Sequence, residues 1–407
     1  MLKSKRVVSA VVLLATIFFS SCTQHTSSPI NSEVDSHETI IVDNNEHDVY
    51  LSKKGKKASE FIAGLLNEMS LSEKIYQMMF TTPEDVTGVG CVVAAGETTK
   101  KALTVYPVGG IVYFSQNFEN REQTIEMIKN TQNYSPIPLF ISVDEEGGTV
   151  SRLGSNPEMG ITKHPPMLEI GKKADFSDAY TVGKTLATEL KDIGFNVDFA
   201  PVTDVLINTE NVEIGSRSFG TDPILVSEMI ANIVSGMEEN GISSTLKHFP
   251  GHGSTYIDSH TGYSESTRTL DELQSNEFLP FKAGIEAGAD FIMVSHMTLV
   301  NATDEKVPCS ISDEVVNGWL KKDLGYTGVI ITDSFKMGAI TDNYTTGEAV
   351  VKAINAGVDM ILMPQSLNDA HDALYEAVQK GEITEERINE SVEKILTLKY
   401  EKGILYK

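Results

Sequence analysis

Short apolar runs alternate with longer amphipathic segments over most of the chain. Eight runs of four to six residues, rich in Val, Ile, Leu and Phe, occupy positions 76–81, 110–114, 139–143, 197–200, 242–246, 291–295, 329–332 and 359–363. Amphipathic segments of helical length lie between them, as at 121–132, 178–193, 223–240, 271–286 and 312–324. Each run followed by such a segment is typical of a βα unit. Eight units in about 350 residues predict an α/β fold, a closed parallel (β/α)8 barrel of the TIM type, as a single domain over residues 59–407.

Features near both ends of this region support the barrel. Ser70 followed by Glu73 predicts a helix N-terminus with a capping box, and residues 385–402 predict the last helix. A doubly wound open sheet is the alternative. However, no Gly-x-Gly-x-x-Gly turn, the mark of its dinucleotide-binding form, follows the first apolar run.

The first 21 residues predict an export signal. A positively charged start and an apolar run at 7–19 precede two serines and Cys22, and the run is too short to span a bilayer. Residues 19–22 are similar to a lipoprotein cleavage box, with Phe19 in place of the usual small aliphatic residue. We therefore expect a lipid on Cys22 and an extracytoplasmic, membrane-anchored protein. An ordinary secretory signal with an incidental cysteine is the alternative.

Residues 22–58 are polar and charged, with little apolar periodicity. Such a segment cannot bury enough apolar surface to offset its ordering entropy, so it predicts a flexible tether. The other two cysteines, Cys91 and Cys309, are too few for a disulfide framework and are expected in or near the core. The net charge of −24 argues against nucleic acid or an anionic lipid surface as a partner.

Ionisable residues follow the ends of the predicted strands. In a (β/α)8 barrel the carboxyl ends of the strands share one face, which carries the reacting groups. On this chain the predicted rim carries Asp144, Asp204, Lys247, His248, His296 and Asp333. A single aspartate there can simply cap the next helix, but six ionisable residues on one rim predict a chemical site.

The stretch 247–260 contains Lys-His-Phe-Pro-Gly-His-Gly and, after four intervening residues, Asp258-Ser259-His260. A histidine at a strand end is often a purely structural residue. A metal site is a second interpretation, because the stretch offers the N and O ligands His248, His252, Asp258 and His260. Catalysis is the third, and the residue types alone leave all three open.

This stretch closely resembles the signature of the bacterial β-N-acetylglucosaminidases of glycoside hydrolase family 3. Further blocks at 143–153, 196–205, 214–220 and 329–337 resemble the same family, so that the resemblance covers about residues 60–400. It implies a catalytic (β/α)8 barrel that needs no cofactor or metal. Many members carry a second α/β domain after the barrel, which we do not expect here.

The resemblance also implies a role for individual residues. Asp333 would be the nucleophile of a retaining mechanism, His260 the general acid/base, and Asp258 the carboxylate that orients it. The residues that would hold the first sugar are Asp144, Arg152, Arg217, Lys247 and His248. Thr149 stands where many relatives have arginine, and Ser254 where many have aspartate. Both are expected to face substrate, so these departures bear on the preference for the aglycone.

The resemblance therefore implies an enzyme that removes terminal N-acetylglucosamine from peptidoglycan fragments or chitooligosaccharides. Within the family, the alternatives are a β-N-acetylglucosaminide phosphorylase and a β-glucosidase. Outside it, one alternative is a metal-dependent hydrolase built on the histidines of the 247–260 stretch. The other is a lipoprotein that binds sugar without cleaving it.

Overall fold

Eight parallel strands form a barrel in the computed structural model, which describes residues 47–257 and 264–405. The chain divides into two units, Met1–Ser52 and Lys53–Lys407, and the barrel belongs to the second. We number its strands in chain order: β1 Met79–Thr81, β2 Gly110–Val112, β3 Phe140–Val143, β4 Val197–Asp198, β5 Thr245–Phe249, β6 Phe291–Val294, β7 Val329–Thr332 and β8 Ile361–Leu362.

The ring of strands is closed. One sheet has the order β8-β1-β2-β3-β4 and another the order β7-β6-β5. Parallel bridges from Val197 to Ser243 and from Ile331 to Met360 join the two sheets at both edges. Every barrel strand overlaps one of the apolar runs, and the predicted (β/α)8 barrel is confirmed.

Strand β5 differs most from its predicted position. It was expected to end at Leu246, but it extends through Lys247 and His248 to Phe249. Met293 pairs with Lys247 and Val294 pairs with Phe249, so the register shifts there and passes over His248. Charged residues did not end the strand, because the barrel is polar at this end and gives them partners.

Helices surround the barrel. They are His47–Glu68, Leu71–Gln77, Pro83–Thr87, Glu97–Val105, Arg121–Tyr134, Met167–Gly171, Phe176–Ile193, Pro223–Glu238, Leu270–Ser275, Phe278–Glu286, the π-helix Glu314–Asp323, Gly338–Thr341, Thr346–Asn355, Leu367–Lys380 and Glu385–Glu401. The capping box of Ser70 and Glu73 is present. Close packing of two neighbouring helices requires Gly183, because a Cβ there would lie 2.2 Å from the carbonyl oxygen of Ile233.

Two predictions outside the barrel need correction. The described part of the predicted tether, 47–58, is helical and opens the helix His47–Glu68, whose buried Ile62 packs into the core. The lysine-rich segment therefore lies within a helix, and the later part of that helix packs on the core through Ile62. Cys309 is buried as expected, but Cys91 is exposed, and both thiols are free. No helix among the described residues is long and apolar enough to cross a membrane.

Candidate active site

A cavity of about 270 Å³ opens at the carboxyl ends of the barrel strands. Side chains from β2, β5, β6 and β8 line it, together with side chains from the segments that follow β3, β4 and β7. Its ionisable lining residues are Asp144, Glu146, Arg152, Glu213, Arg217, Lys247, His248 and Asp333. The structure thus brings together the predicted nucleophile and all five predicted sugar-binding residues, which are separated by up to 189 positions in the sequence.

Glu146 lies at the centre of the charged network. Its carboxylate accepts two parallel bonds from Arg217, Nε to Oε2 at 2.8 Å and Nη2 to Oε1 at 2.9 Å. Lys247 Nζ lies 2.6 Å from Oε1. Burial would raise the pKa of Glu146, but the charges of Lys247 and Arg217 outweigh it and lower the pKa to about 2. Glu146 is therefore an anion at neutral pH, and it fixes both cations at the cavity wall.

Asp144 holds the same lysine from the other side. Lys247 Nζ donates to Asp144 Oδ1 at 2.8 Å, and Arg152 Nη2 lies 3.7 Å from Asp144 Oδ2. The Arg152 guanidinium also lies over the ring of Phe114, 5.6 Å from its centroid. Burial opposes the charge of Lys247, yet its two carboxylate partners raise its pKa. These bonds hold the donors of Lys247 and Arg152 in place for a polar ligand.

Replacing Glu146 by glutamine is expected to destabilise the protein. Removing one partner of a buried ion pair typically costs about 3–5 kcal/mol, because the other charge stays buried. The folded pKa of about 2 lies below the ordinary 4.5, so the stabilisation by Glu146 is present above pH 4.5 and is lost as the pH falls towards 2. Urea unfolding of wild type and Glu146→Gln should differ strongly at pH 7 and much less at pH 3.

The matched control for this comparison is Glu376→Gln, which removes an exposed pair with Lys380 and should change stability by less than about 1 kcal/mol. An equal gap between wild type and Glu146→Gln at pH 7 and pH 3 would contradict the assignment of Glu146 as a paired anion.

Asp204 orients His248 from beneath the cavity. The fully buried Asp204 carboxylate accepts from His248 Nδ1 at 2.8 Å and from the His252 backbone N–H at 2.5 Å. Burial would raise the pKa of Asp204, but His248 lowers it. With the proton on Nδ1 bonded to Asp204, Nε2 of His248 faces the cavity, 3.5 Å from Arg217 Nη2. The arrangement fixes both the tautomer and the ring plane of His248.

Asp333 follows the last residue of β7. Its backbone N–H donates to Val294 O at 2.9 Å, and the Ser334 N–H donates to its Oδ1 at 2.7 Å. Burial would raise the pKa of Asp333, but its interactions with the rings of His248 and His296, the Ser334 N–H and the charge of Lys247 outweigh burial and lower the pKa. Asp333 is thus an ionised carboxylate on a rigid strand end, as a nucleophile requires.

Three predicted residues lie outside the described residues: Asp258, His260 and Cys22. The chain on either side of 258–263 is paired, since Tyr256–Ile257 and Ser264–Ser266 run antiparallel. Ser254 does not line the described cavity, contrary to expectation. It is buried, and its Oγ lies 2.9 Å from the Ser266 Oγ. Thr149 is exposed and does not line the cavity either.

The described parts of the chain contain no cluster of ligands that supports the metal hypothesis. Among residues 47–257 and 264–405, no group of three or more His, Cys, Asp or Glu side chains is placed to hold an ion. His248 and His252 approach each other with ring centroids 5.8 Å apart, and Asp204 binds groups of both. The other two candidate ligands of that hypothesis, Asp258 and His260, lie outside these ranges.

Sequence reasoning missed Glu146 as a site residue, although Asp144 had been named. Positions two apart on an extended segment face the same side, so the pair Asp144 and Glu146 carried the signal. Asp204 was expected on the rim, but not as the partner of His248. His296 is also buried there, with Nδ1 2.8 Å from Ser310 Oγ and Nε2 3.0 Å from Ser334 O.

Residues 70–398 match the glycosyl hydrolase family 3 N-terminal domain. The chain belongs to glycosyl hydrolase family 3. The chain is similar to β-hexosaminidase A of Pseudoalteromonas piscicida, with 32% identity over 322 residues, which are 73% of this chain and 54% of that protein. The chain thus spans about half the length of that relative.

The fold is also similar to that of solved structures. A family 3 β-N-acetylglucosaminidase from Paenibacillus sp. str. FPU-7 is 34% identical with a TM-score of 0.76, over 83% of this chain and 63% of that one. The β-glucoside phosphorylase BglX is 27% identical with a TM-score of 0.74, over 87% of this chain and 62% of that one. Both chains are therefore longer than the region this chain matches.

Proposed function

We propose that the protein is a retaining exo-β-N-acetylglucosaminidase, which removes terminal N-acetylglucosamine through a covalent glycosyl–Asp333 intermediate. The observation that carries the proposal is an ionised Asp333 on a strand end, facing a cavity whose wall is formed by Asp144, Arg152, Arg217, Lys247 and His248. The hexosaminidase and N-acetylglucosaminidase relatives support the choice of sugar.

The size of the cavity supports cleavage at a chain end. Its volume of about 270 Å³ lies just below the range of roughly 300–1,000 Å³ typical of pockets for drug-sized ligands. The barrel strands close its floor, where Phe199, Met293 and Leu362 line it. A pocket with a floor and room for about one sugar ring admits the terminal residue of an oligosaccharide and leaves the rest outside.

The proposed reaction uses these groups together with His260, whose role is predicted from the sequence. Asp333 attacks the anomeric carbon while His260, as predicted, gives a proton to the leaving oxygen. Lys247 and Arg217 donate hydrogen bonds to the sugar oxygens, and His248 presents Nε2 to them. In the second half, His260 takes a proton from a water molecule as that water attacks the anomeric carbon. The bond between this carbon and Asp333 breaks, and the sugar is released with retained configuration.

Phosphorolysis is the second candidate, because the chain is similar to a solved β-glucoside phosphorylase. The hexosaminidase and N-acetylglucosaminidase relatives favour hydrolysis instead. The charge of the cavity is not the deciding factor: once Asp333 is esterified, the carboxylates Asp144, Glu146 and Glu213 are balanced by the cations Arg152, Arg217 and Lys247. A product assay on chitobiose with and without phosphate separates the two, and we expect free N-acetylglucosamine in both.

The sugar preference gives a direct test of the proposed function. Nitrophenyl β-N-acetylglucosaminide is expected to be turned over far better than nitrophenyl β-glucoside, which lacks the acetamido group. A site built to hydrogen-bond a polar group rejects an analogue without it by about 10⁴-fold, since buried partners are left unpaired. Values of kcat/KM for the two substrates measure this directly. Comparable values would contradict the proposal and favour a β-glucosidase.

We also propose peptidoglycan fragments or chitooligosaccharides as substrates, at an extracytoplasmic location. This part of the proposal rests on the predicted signal and on Cys22, which lie outside the described residues. An acylated Cys22 would hold the enzyme at a membrane, close to the sugars of the cell envelope.

A further inference from the structure

The loop after β4 contacts the loop after β5 through a buried asparagine. Asn211 is 7% exposed. Its Nδ2 donates to His252 O at 3.0 Å and to Thr255 Oγ1 at 3.1 Å, while its Oδ1 accepts from the Ile214 N–H at 2.9 Å. The side-chain amide thus joins three points on two loops, and its donors and its acceptor are both used.

The two loops also touch through their backbones. The Asn208 N–H donates to Gly253 O at 2.9 Å, and Asn208 Nδ2 donates to Thr255 O at 3.0 Å. A Cβ at Gly253 would lie 1.9 Å from Val205 O, so only glycine permits this approach. The two loops therefore contact each other at several residues and in one defined alignment.

Each loop leads to a different part of the proposed chemistry. The loop after β4 continues from Asn211 to Arg217, which is bonded to Glu146 in the cavity wall. The loop after β5 continues from Thr255 to Asp258 and His260, three and five positions later. Asn211 therefore lies between the sugar-binding wall and the chain that leads to the proposed proton donor.

We propose that Asn211 is a positioning residue for proton donation to the leaving group, acting through His252 and Thr255 on the segment that carries His260. The inference rests on the proposed function. A misplacement of about 1 Å caused by a change far from the chemistry can cost about 10²-fold in rate. The two bonds from Asn211 Nδ2 oppose such a displacement at the start of this segment.

The test uses N-acetylglucosaminides with leaving groups of different quality. A dinitrophenolate hardly needs a proton, whereas the sugar released from chitobiose does. Asn211→Ala is therefore expected to lower kcat/KM roughly tenfold more, or beyond, for chitobiose than for the dinitrophenyl substrate. General acid catalysis contributes about 10²–10⁴-fold to the rate, so this loss is a part of that contribution. Equal losses on both substrates would overturn the proposal, because a merely structural role does not depend on the leaving group.

Asn196→Ala is the matched control. Asn196 Oδ1 accepts from the Ile141 N–H at 2.8 Å and its Nδ2 donates to Leu139 O at 3.1 Å, at the opposite end of the barrel. It should lower stability and leave the ratio between the substrates unchanged; a shifted ratio in this variant too would also overturn the proposal.

A second variant covers the case in which Asn211→Ala fails to fold. Asn208→Ala removes one bond to the same loop and is expected to shift the ratio in the same direction, and no shift would overturn the proposal. A different result would contradict the proposed function itself, namely a wild-type enzyme that cleaves neither substrate. If wild type is active and His260→Ala shows the leaving-group dependence while Asn211→Ala and Asn208→Ala do not, only this inference is wrong.

Discussion

Asp333→Asn is expected to abolish turnover of every glycoside, whatever its leaving group. The neutral amide cannot form the glycosyl ester, so kcat should fall by roughly 10⁴–10⁶-fold. This is the scale of the loss when one member of a Ser-His-Asp catalytic triad is removed. The comparison is kcat on nitrophenyl N-acetylglucosaminide and on chitobiose, with the fold checked by circular dichroism. The substitution is nearly isosteric, and the Asp333 backbone bond to Val294 O does not depend on the side chain.

Asp178→Asn is the control for this prediction. Asp178 forms a surface pair with Lys173 at 2.9 Å, so the same chemical change there should alter kcat by less than a few-fold. Activity of Asp333→Asn within tenfold of the wild type would contradict the assignment. The lowered pKa of Asp333 also predicts that its protonation does not limit the rate near neutral pH, where the carboxylate is an anion.

His260→Ala is expected to lose activity in a different way from Asp333→Asn, because its loss depends on the leaving group. The proton that His260 supplies is worth about 10²–10⁴-fold, and only poor leaving groups need it. Chitobiose cleavage should therefore fall within that range, while the first step on a nitrophenyl substrate is largely kept. Hydrolysis of the intermediate then lacks its base and becomes limiting, so rapid mixing should reveal a burst of phenol before slow turnover. Asp258→Asn should give the same pattern in milder form.

His371→Ala serves as the histidine control. His371 lies on the outer helix Leu367–Lys380, stacked on Tyr76 with ring centroids 4.6 Å apart. It should show neither the burst nor the dependence on leaving group. Equal losses for His260→Ala on good and poor leaving groups would remove His260 from the role of proton donor.

The barrel was predictable because its signal is local and repeated. Each strand is a short apolar run such as Val329–Thr332, buried along its whole length, and amphipathic helices separate the runs. The end of β5 was not predictable in the same way. The charge of Lys247 alone predicts the end of a strand. The strand continues through Lys247 because Asp144 and Glu146 form ion pairs with it.

The site was predictable as a set of residues but not as a network. Asp333 and Lys247 were named from their place after apolar runs and from family motifs. The bond between His248 and Asp204 joins positions 44 apart, and that between Arg217 and Glu146 joins positions 71 apart. Contacts of this separation are decided by the register of neighbouring strands and the course of the loops, which no short motif encodes. The helix over 47–58 was missed for a related reason, since the buried residue that joins this helix to the core, Ile62, lies further along the chain.

The glycosyl–Asp333 intermediate is the central claim, and trapping it is the most direct test. His260→Ala mixed with dinitrophenyl β-N-acetylglucosaminide should accumulate the adduct, because its formation needs no acid and its breakdown lacks a base. Peptide mass spectrometry after rapid acid quench should find one N-acetylglucosaminyl group, on the peptide that contains Asp333. An adduct on a different residue, or product of inverted configuration with no adduct at any time, would contradict the account.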